Sequence, residues 1–235
     1  MRTRFFFAAA LLILLGASAI SIPLSRSAFR SADDPEVVIV VDAGHGGEDG
    51  GAVSADGLRE SDVNLAIALR LDQLLGLCGI HSRLTRDSDR IAYPDHAVST
   101  RQRKRADQEY RAALIRGTEN AVLLSIHQNY YPSSGPKGAQ VFYGGAAGSE
   151  AFARAMQDKL ALLCGDRRKA APISDDIYLM RQAACPAILV ECGFLSNPEE
   201  SAQLRTDTYR TKLALVLAVG CLDHYQELEA HYGKG

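Results

Sequence analysis

Four side chains in this sequence have the types and settings for joint chemistry: His45, Glu60, His127 and Glu191. Two imidazoles and one carboxylate leave an open position on a tetrahedral zinc ion, the catalytic rather than the structural pattern. Such an ion acidifies water and polarises a carbonyl. A second carboxylate that is not a ligand then serves as general base and general acid. The sequence has no H-E-x-x-H, so one helix cannot supply the ligands. Separate loops must bring them together.

Each residue also has a plainer reading. His45 can simply shape a tight turn, and His127 can be a satisfied histidine at a strand end. Glu60 can serve a helix dipole, with Glu48 or Asp49 replacing it as ligand. Glu191 can pair with an arginine such as Arg181. Asn129 and Asn197 fit polar turn-building better than substrate binding. His81, His96, His224 and His231 have no comparable setting.

The surrounding elements explain how the four would meet. Val37-Val-Ile-Val-Val-Asp-Ala-Gly-His-Gly-Gly47 is a β-branched apolar run that stops at Asp42 and turns through glycines. It reads as a buried strand that presents His45 at its carboxyl end, where open α/β sheets collect their chemistry. Apolar residues at Val63, Ile67, Leu71, Leu74 and Leu75 have a helical period. Ser61 is the expected cap and Gly79 the expected stop, so Glu60 sits at the helix mouth. Further strands are expected at Ile80–Arg86, Ala121–His127, Ala139–Tyr143 and Ala187–Glu191, with an edge strand at Ile177–Arg181. Helices are expected from about Ser99 to Arg116, over Ser149–Cys164, after Asn197, and from Thr206 or Thr208 to near Tyr225. Gln128–Gly138 and Arg167–Ser174 read as irregular.

Strands alternating with helices predict one α/β domain. The expected form is a three-layer sandwich with a twisted, mostly parallel mixed sheet and helices on both faces. His45, His127 and Glu191 then end three strands along one rim, with Glu60 beside them.

The 235 residues suffice for one full hydrophobic core. A net charge of -2 argues against a nucleic-acid partner, and Arg101–Arg105 reads as a solvated helix face. Arg2 and Arg4 precede an apolar run from Phe5 to about Ile20, and Ala17-Ser18-Ala19 fits a cleavage site. Residues 1–35 therefore read as a secretory signal or N-terminal membrane anchor plus linker, and 36–235 as the catalytic domain. Either way the catalytic part lies outside the cytoplasm. Of the five cysteines, Cys78 and Cys221 are expected in the core, and no disulfide is predicted.

Four ordered motifs carry a family resemblance: Val41-Asp-Ala-Gly-His-Gly-Gly47, Leu58-Arg-Glu-Ser-Asp-Val-Asn-Leu65, Ser125-Ile-His-Gln-Asn129 and Val190-Glu-Cys-Gly-Phe-Leu-Ser-Asn197. Together the chain resembles the zinc-dependent N-acetylmuramoyl-L-alanine amidases over nearly all of Val37 to Tyr225. The resemblance implies that His45, Glu60 and His127 bind Zn2+ and that Glu191 is the catalytic carboxylate. The implied substrate is the amide joining the N-acetylmuramic acid lactyl group to L-alanine in peptidoglycan. No regulatory partner is named by it. Arg101–Arg105, Gly138-Ala-Gln-Val-Phe-Tyr143 and Ile177-Tyr-Leu-Met180 resemble the germination-specific branch, which acts on spore cortex ahead of muramic δ-lactam formation. A vegetative autolysin, or a non-catalytic wall-binding module, is the alternative. Gln128 stands where the family often has a small residue, a departure that bears on the substrate groove.

Overall fold

The computed structural model describes residues 36–165, 168–174 and 176–233. The expected export segment lies outside them. Among the described residues no helix is long and apolar enough to cross a membrane.

In chain order the elements are β1 (Val38–Ala43), α1 (Glu60–Leu77), β2 (His81–Leu84), α2 (Thr100–Arg116), β3 (Ala121–Asn129) and β4 (Gln140–Tyr143). Then follow α3 (Ser149–Cys164), β5 (Ala171–Pro172), α4 (Tyr178–Gln182), β6 (Ala187–Phe194), α5 (Pro198–Leu204) and α6 (Asp207–Tyr232). The strands form one sheet in the order β2-β1-β3-β6-β4-β5. All neighbours are parallel except β4 and β6, which run antiparallel.

The strand alternation divides the core into two layers. Ile39, Val41 and Ala43 of β1 face a large cluster with Val63, Ile67 and Leu71 of α1, Phe152 and Met156 of α3, and Leu213 and Leu217 of α6. Val40, Leu123 and Leu189 face the other way, against Ala112 and Ile115 of α2 and Leu179 and Met180 of α4. The expected three layers, with a mostly parallel mixed sheet and helices on both faces, are what the chain forms.

Several local expectations are corrected. Helix α1 is not capped by Ser61: its N-cap is Arg59, without a side-chain cap bond. Backbone carbonyls stand in, with Glu60 N donating to Ala52 O and Ser61 N to Gly50 O. A missing side-chain cap costs roughly 1 kcal/mol. Each fully buried Leu or Ile on the inner face contributes about 1.5–3 kcal/mol, so packing decides. The C-terminus ends as expected at Gly79, whose φ of 72° lets Gly79 N reach Gly76 O and Ile80 N reach Leu75 O. Cys78 caps that end and is exposed, whereas Cys221 is buried as expected.

Ile177–Arg181 is not an edge strand but contains the short helix α4. Leu179 and Met180 are adjacent and both enter the same core cluster. A strand would point them to opposite faces. Part of the stretch read as irregular pairs as β5, and α6 continues beyond Tyr225 because Leu228 is buried and the Tyr232 hydroxyl donates to Ala121 O.

Candidate active site

The site forms where β1, β3 and β6 end and α1 begins. Strand β3 pairs with β1 on one side and β6 on the other, which brings His45, just past β1, to one rim with His127 and Glu191; these two do not end their strands as expected, because β3 runs on to Asn129 and β6 to Phe194. A cleft of about 390 Å³ opens there between the sheet edge, α2 and α4. It is lined by His45, Glu60, His127 and Glu191, with Lys104 and Tyr178 among its walls. A larger cavity of about 520 Å³ beside Cys164, Tyr209 and Lys212 contains none of the four.

His45, Glu60 and His127 offer ligand atoms that all lie within 4.8 Å of one another. His45 Nε2 is 3.4 Å from Glu60 Oε2, and His127 Nδ1 is 2.9 Å from Glu60 Oε1. The Glu60 carboxylate is 4% exposed and held from several sides. Ala52 N donates to Oε2 at 2.9 Å, and Gln128 N donates to Oε1 at 3.1 Å. Burial alone would raise its pKa, but His127 and His45 override that and hold the carboxyl well below the usual range. A buried anion facing two imidazole nitrogens suits a divalent cation.

His45 is oriented from behind. Its Nδ1 lies 2.9 Å from Asp49 Oδ2, and Lys104 Nζ is 2.8 Å from the same oxygen. Burial opposes the charged ring, but Asp49 and Glu60 override it and push the His45 pKa up to about 9. With a cation present, Nδ1–H donating to Asp49 would leave the Nε2 lone pair free on the side of Glu60. Asp49 is therefore the carboxylate behind the histidine rather than a replacement for Glu60. Glu48 instead pairs with Arg103 on the rim. The Arg101–Arg105 run is thus only partly a solvated face: Arg103 and Lys104 pin the His45 loop.

His45 has φ 61°, a left-handed backbone that costs a non-glycine residue about 1–2 kcal/mol. Glycine is needed at two neighbouring points. A Cβ on Gly44 would run into the His127 ring, and one on Gly51 would meet Glu60 Oε2 and the His45 ring.

Glu191 is different in kind. Its Oε2 is buried and has no hydrogen-bond partner among the described residues. Burial, with Glu60 adding to it and His127 and His45 opposing, pushes its pKa up to about 7. Such a carboxyl is poised for proton transfer near neutrality. The alternative partner Arg181 stacks over Tyr178.

Of the secondary candidates, Asn197 caps α5, accepting from Glu199 N and Glu200 N, and is a turn-builder as expected. Asn129 lines the cleft. Gln128 is 3% exposed, and its Nε2 donates to Asn64 Oδ1. Its side chain is therefore tied to α1, and the residue also lines the cleft.

These features describe an α/β enzyme with a metal-competent cleft at the carboxyl edge of its sheet. The family described as N-acetylmuramoyl-L-alanine amidase matches residues 39–222, and the chain belongs to it. The germination-specific N-acetylmuramoyl-L-alanine amidase of Bacillus subtilis (strain 168) is 38% identical over 191 residues, covering 81% of this chain and 80% of that protein. The CwlD amidase of Clostridioides difficile, solved in complex with the GerS lipoprotein, is similar with a TM-score of 0.77 and 34% identity. That match covers 82% of this chain and all of that one (100%). The catalytic domain of CwlV from Bacillus (Paenibacillus) polymyxa var. colistinus gives a TM-score of 0.68 and 29% identity, covering 81% and 98%.

Proposed function

We propose that this amidase is zinc-dependent and cleaves the bond between N-acetylmuramic acid and L-alanine in spore-cortex peptidoglycan, ahead of muramic δ-lactam formation. The observation that carries the catalytic part is the pairing of two unlike groups in one cleft. A clustered His45, Glu60 and His127 suits a cation, and Glu191 beside it, whose Oε2 is buried and without a hydrogen-bond partner among the described residues, suits a proton carrier. Family membership supplies the scissile bond.

In this reading His45 through Nε2, Glu60 through its carboxylate and His127 through Nδ1 would hold the ion. Zinc, when bound, supplies Lewis acidity, polarising a carbonyl and making water more acidic. Asp49 fixes the His45 tautomer and ring angle. Glu191 takes a proton from the water that attacks the lactyl carbonyl carbon. As the carbon–nitrogen bond breaks, Glu191 returns that proton to the alanine nitrogen. The products are a free lactyl carboxylate on the glycan and a stem peptide with a free amino terminus.

Residues 1–35 would export the domain, as a cleaved signal or a retained anchor, and place it on the peptidoglycan side of the membrane. Fusing them to a reporter tests this: a soluble cytoplasmic reporter contradicts it. The cortex assignment rests on likeness to the germination-specific relative. Expression in a spore-former lacking its own cortex amidase should restore muramic δ-lactam. Wall hydrolysis without δ-lactam would assign a vegetative autolysin instead.

A further inference from the structure

Two buried guanidiniums stand behind the His45 turn. Arg111 of α2 is 4% exposed. Its Nη1 donates to Asp42 Oδ1 at 2.8 Å and to Ala43 O at 2.7 Å. Its Nη2 donates to His45 O at 2.6 Å, and its Nε donates to Asp107 Oδ2 at 2.9 Å. Arg86, just beyond β2, donates to Ala43 O at 2.9 Å, Gly44 O at 3.2 Å and Ser61 O at 2.8 Å. Between them the two side chains bind three consecutive carbonyls, those of residues 43, 44 and 45. Arg86 also ties that turn to the first turn of α1, which carries Glu60.

This is more than charge neutralisation. Pairing with Asp42 and Asp107 would satisfy the Arg111 charge without any contact to His45. Yet Nη2, which also lies 2.8 Å from Asp107 Oδ2, bonds the carbonyl of the one histidine held at positive φ among the described residues. The direction of that carbonyl is set by the His45 ψ angle, and with φ it fixes where the imidazole points. Asp49 holds the ring from its Nδ1 side. The Arg111 contact holds the backbone from which the ring projects. Such outer contacts orient ligands and tune the affinity of a metal site.

We infer that Arg111 is a positioning residue for the metal centre, holding His45 in the left-handed conformation that aims its Nε2 at Glu60. The inference rests on the zinc reading above. Both guanidiniums stay cationic at neutral pH. Burial, with Arg111 adding to it, pushes Arg86 down to about 10, while Asp42 and Asp107 outweigh burial and raise Arg111. An ammonium in place of the guanidinium would keep the charge opposite Asp42 and Asp107. It would lose the planar fork that reaches His45 O as well.

The test is zinc affinity of the full chain, measured by competition with a chromophoric chelator, on wild type and Arg111→Lys. Circular dichroism on the same samples establishes folding, and cobalt substitution reports ligand geometry through its visible absorption. The expected result is a folded variant that binds zinc about 10–100-fold more weakly, with an altered cobalt spectrum. A folded variant with wild-type zinc affinity and an unchanged spectrum overturns the inference, whatever its melting temperature. If Arg111→Lys does not fold, Asp107→Asn carries the test, because it loosens the same fork from its outer end. Weakened zinc binding then supports the inference, and wild-type affinity contradicts it. Failure of the zinc reading looks different: wild type itself would bind no zinc, and the inference would fall with that reading.

Discussion

His127 and Glu191 are paired directly across parallel strands β3 and β6. That register puts a ligand-competent imidazole side by side on one rim with a carboxyl whose Oε2 is buried and has no hydrogen-bond partner among the described residues. Glu191→Gln keeps the shape but cannot accept a proton. It should retain fold and zinc while turnover falls on the order of 10²–10⁴-fold. Substrate binding should change far less, because the loss is confined to the transition state. Zinc content, binding and product release measured on one preparation check this. Loss of zinc as well would make Glu191 a ligand.

Removing either imidazole should remove the ion. His45→Ala and His127→Ala should each lose bound zinc and activity together, because Glu60 and one histidine cannot complete a three-ligand site. Elemental analysis reads the stoichiometry. Full zinc retention in the double variant would sink the ligand assignment.

Asp49 should act through His45 alone. Asp49→Asn keeps the size of the side chain but gives up a charged acceptor for Nδ1–H. Zinc affinity should drop about 10–100-fold. Chelator competition measures it, and an unchanged affinity would mean that Asp49 serves only its pair with Lys104.

How much of this was legible in the sequence depends on range. The four candidate residues and the strands that bring them together were readable because each motif is local: an apolar run, then a glycine turn or a polar residue. The ends were less so, since β3 and β6 run past His127 and Glu191 to Asn129 and Phe194. The helical period of Val63, Ile67 and Leu71 likewise needs only neighbours. Asp49 left a faint signal, a carboxylate four residues after His45 in a glycine-rich loop. Arg111 left none, since it lies 66 residues from His45 and only the tertiary fold brings them together. The same limit explains Ile177–Arg181, where the apolar run is compatible with strand or helix. Packing of Leu179 and Met180 into one cluster settles it as helix. Ser61 was misread because the α1 start is held by backbone carbonyls of the preceding loop, which no local pattern marks.

Acid stability should depend on Asp42. Burial alone would raise its pKa, but Arg111, the Ser125 and Thr85 hydroxyls and His127 override it and hold the carboxyl below the usual range. A depressed folded pKa gives stability that is present above the unfolded value of about 3.9. That stability is lost as pH falls through the folded value. Asp42→Asn should cost about 3–5 kcal/mol at neutral pH, because it leaves the Arg111 pair broken. The gap between variant and wild type should narrow below about pH 4. Denaturant unfolding across pH checks this. In metal-free protein Asp49 and Glu60 contribute with the same sign, so the difference between the two proteins is the quantity to read. A gap that stays constant to low pH would contradict it.

The most direct test of the central claim is mass spectrometry of purified peptidoglycan treated with the zinc-loaded domain, beside Glu191→Gln as control. Wild type should release stem peptides beginning with a free L-alanine amino group. The glycan strands left behind should carry unsubstituted lactyl carboxylates, and the control should release almost none. Products in which the muramoyl–alanine amide is intact, with cleavage within the peptide or the glycan, would contradict the account.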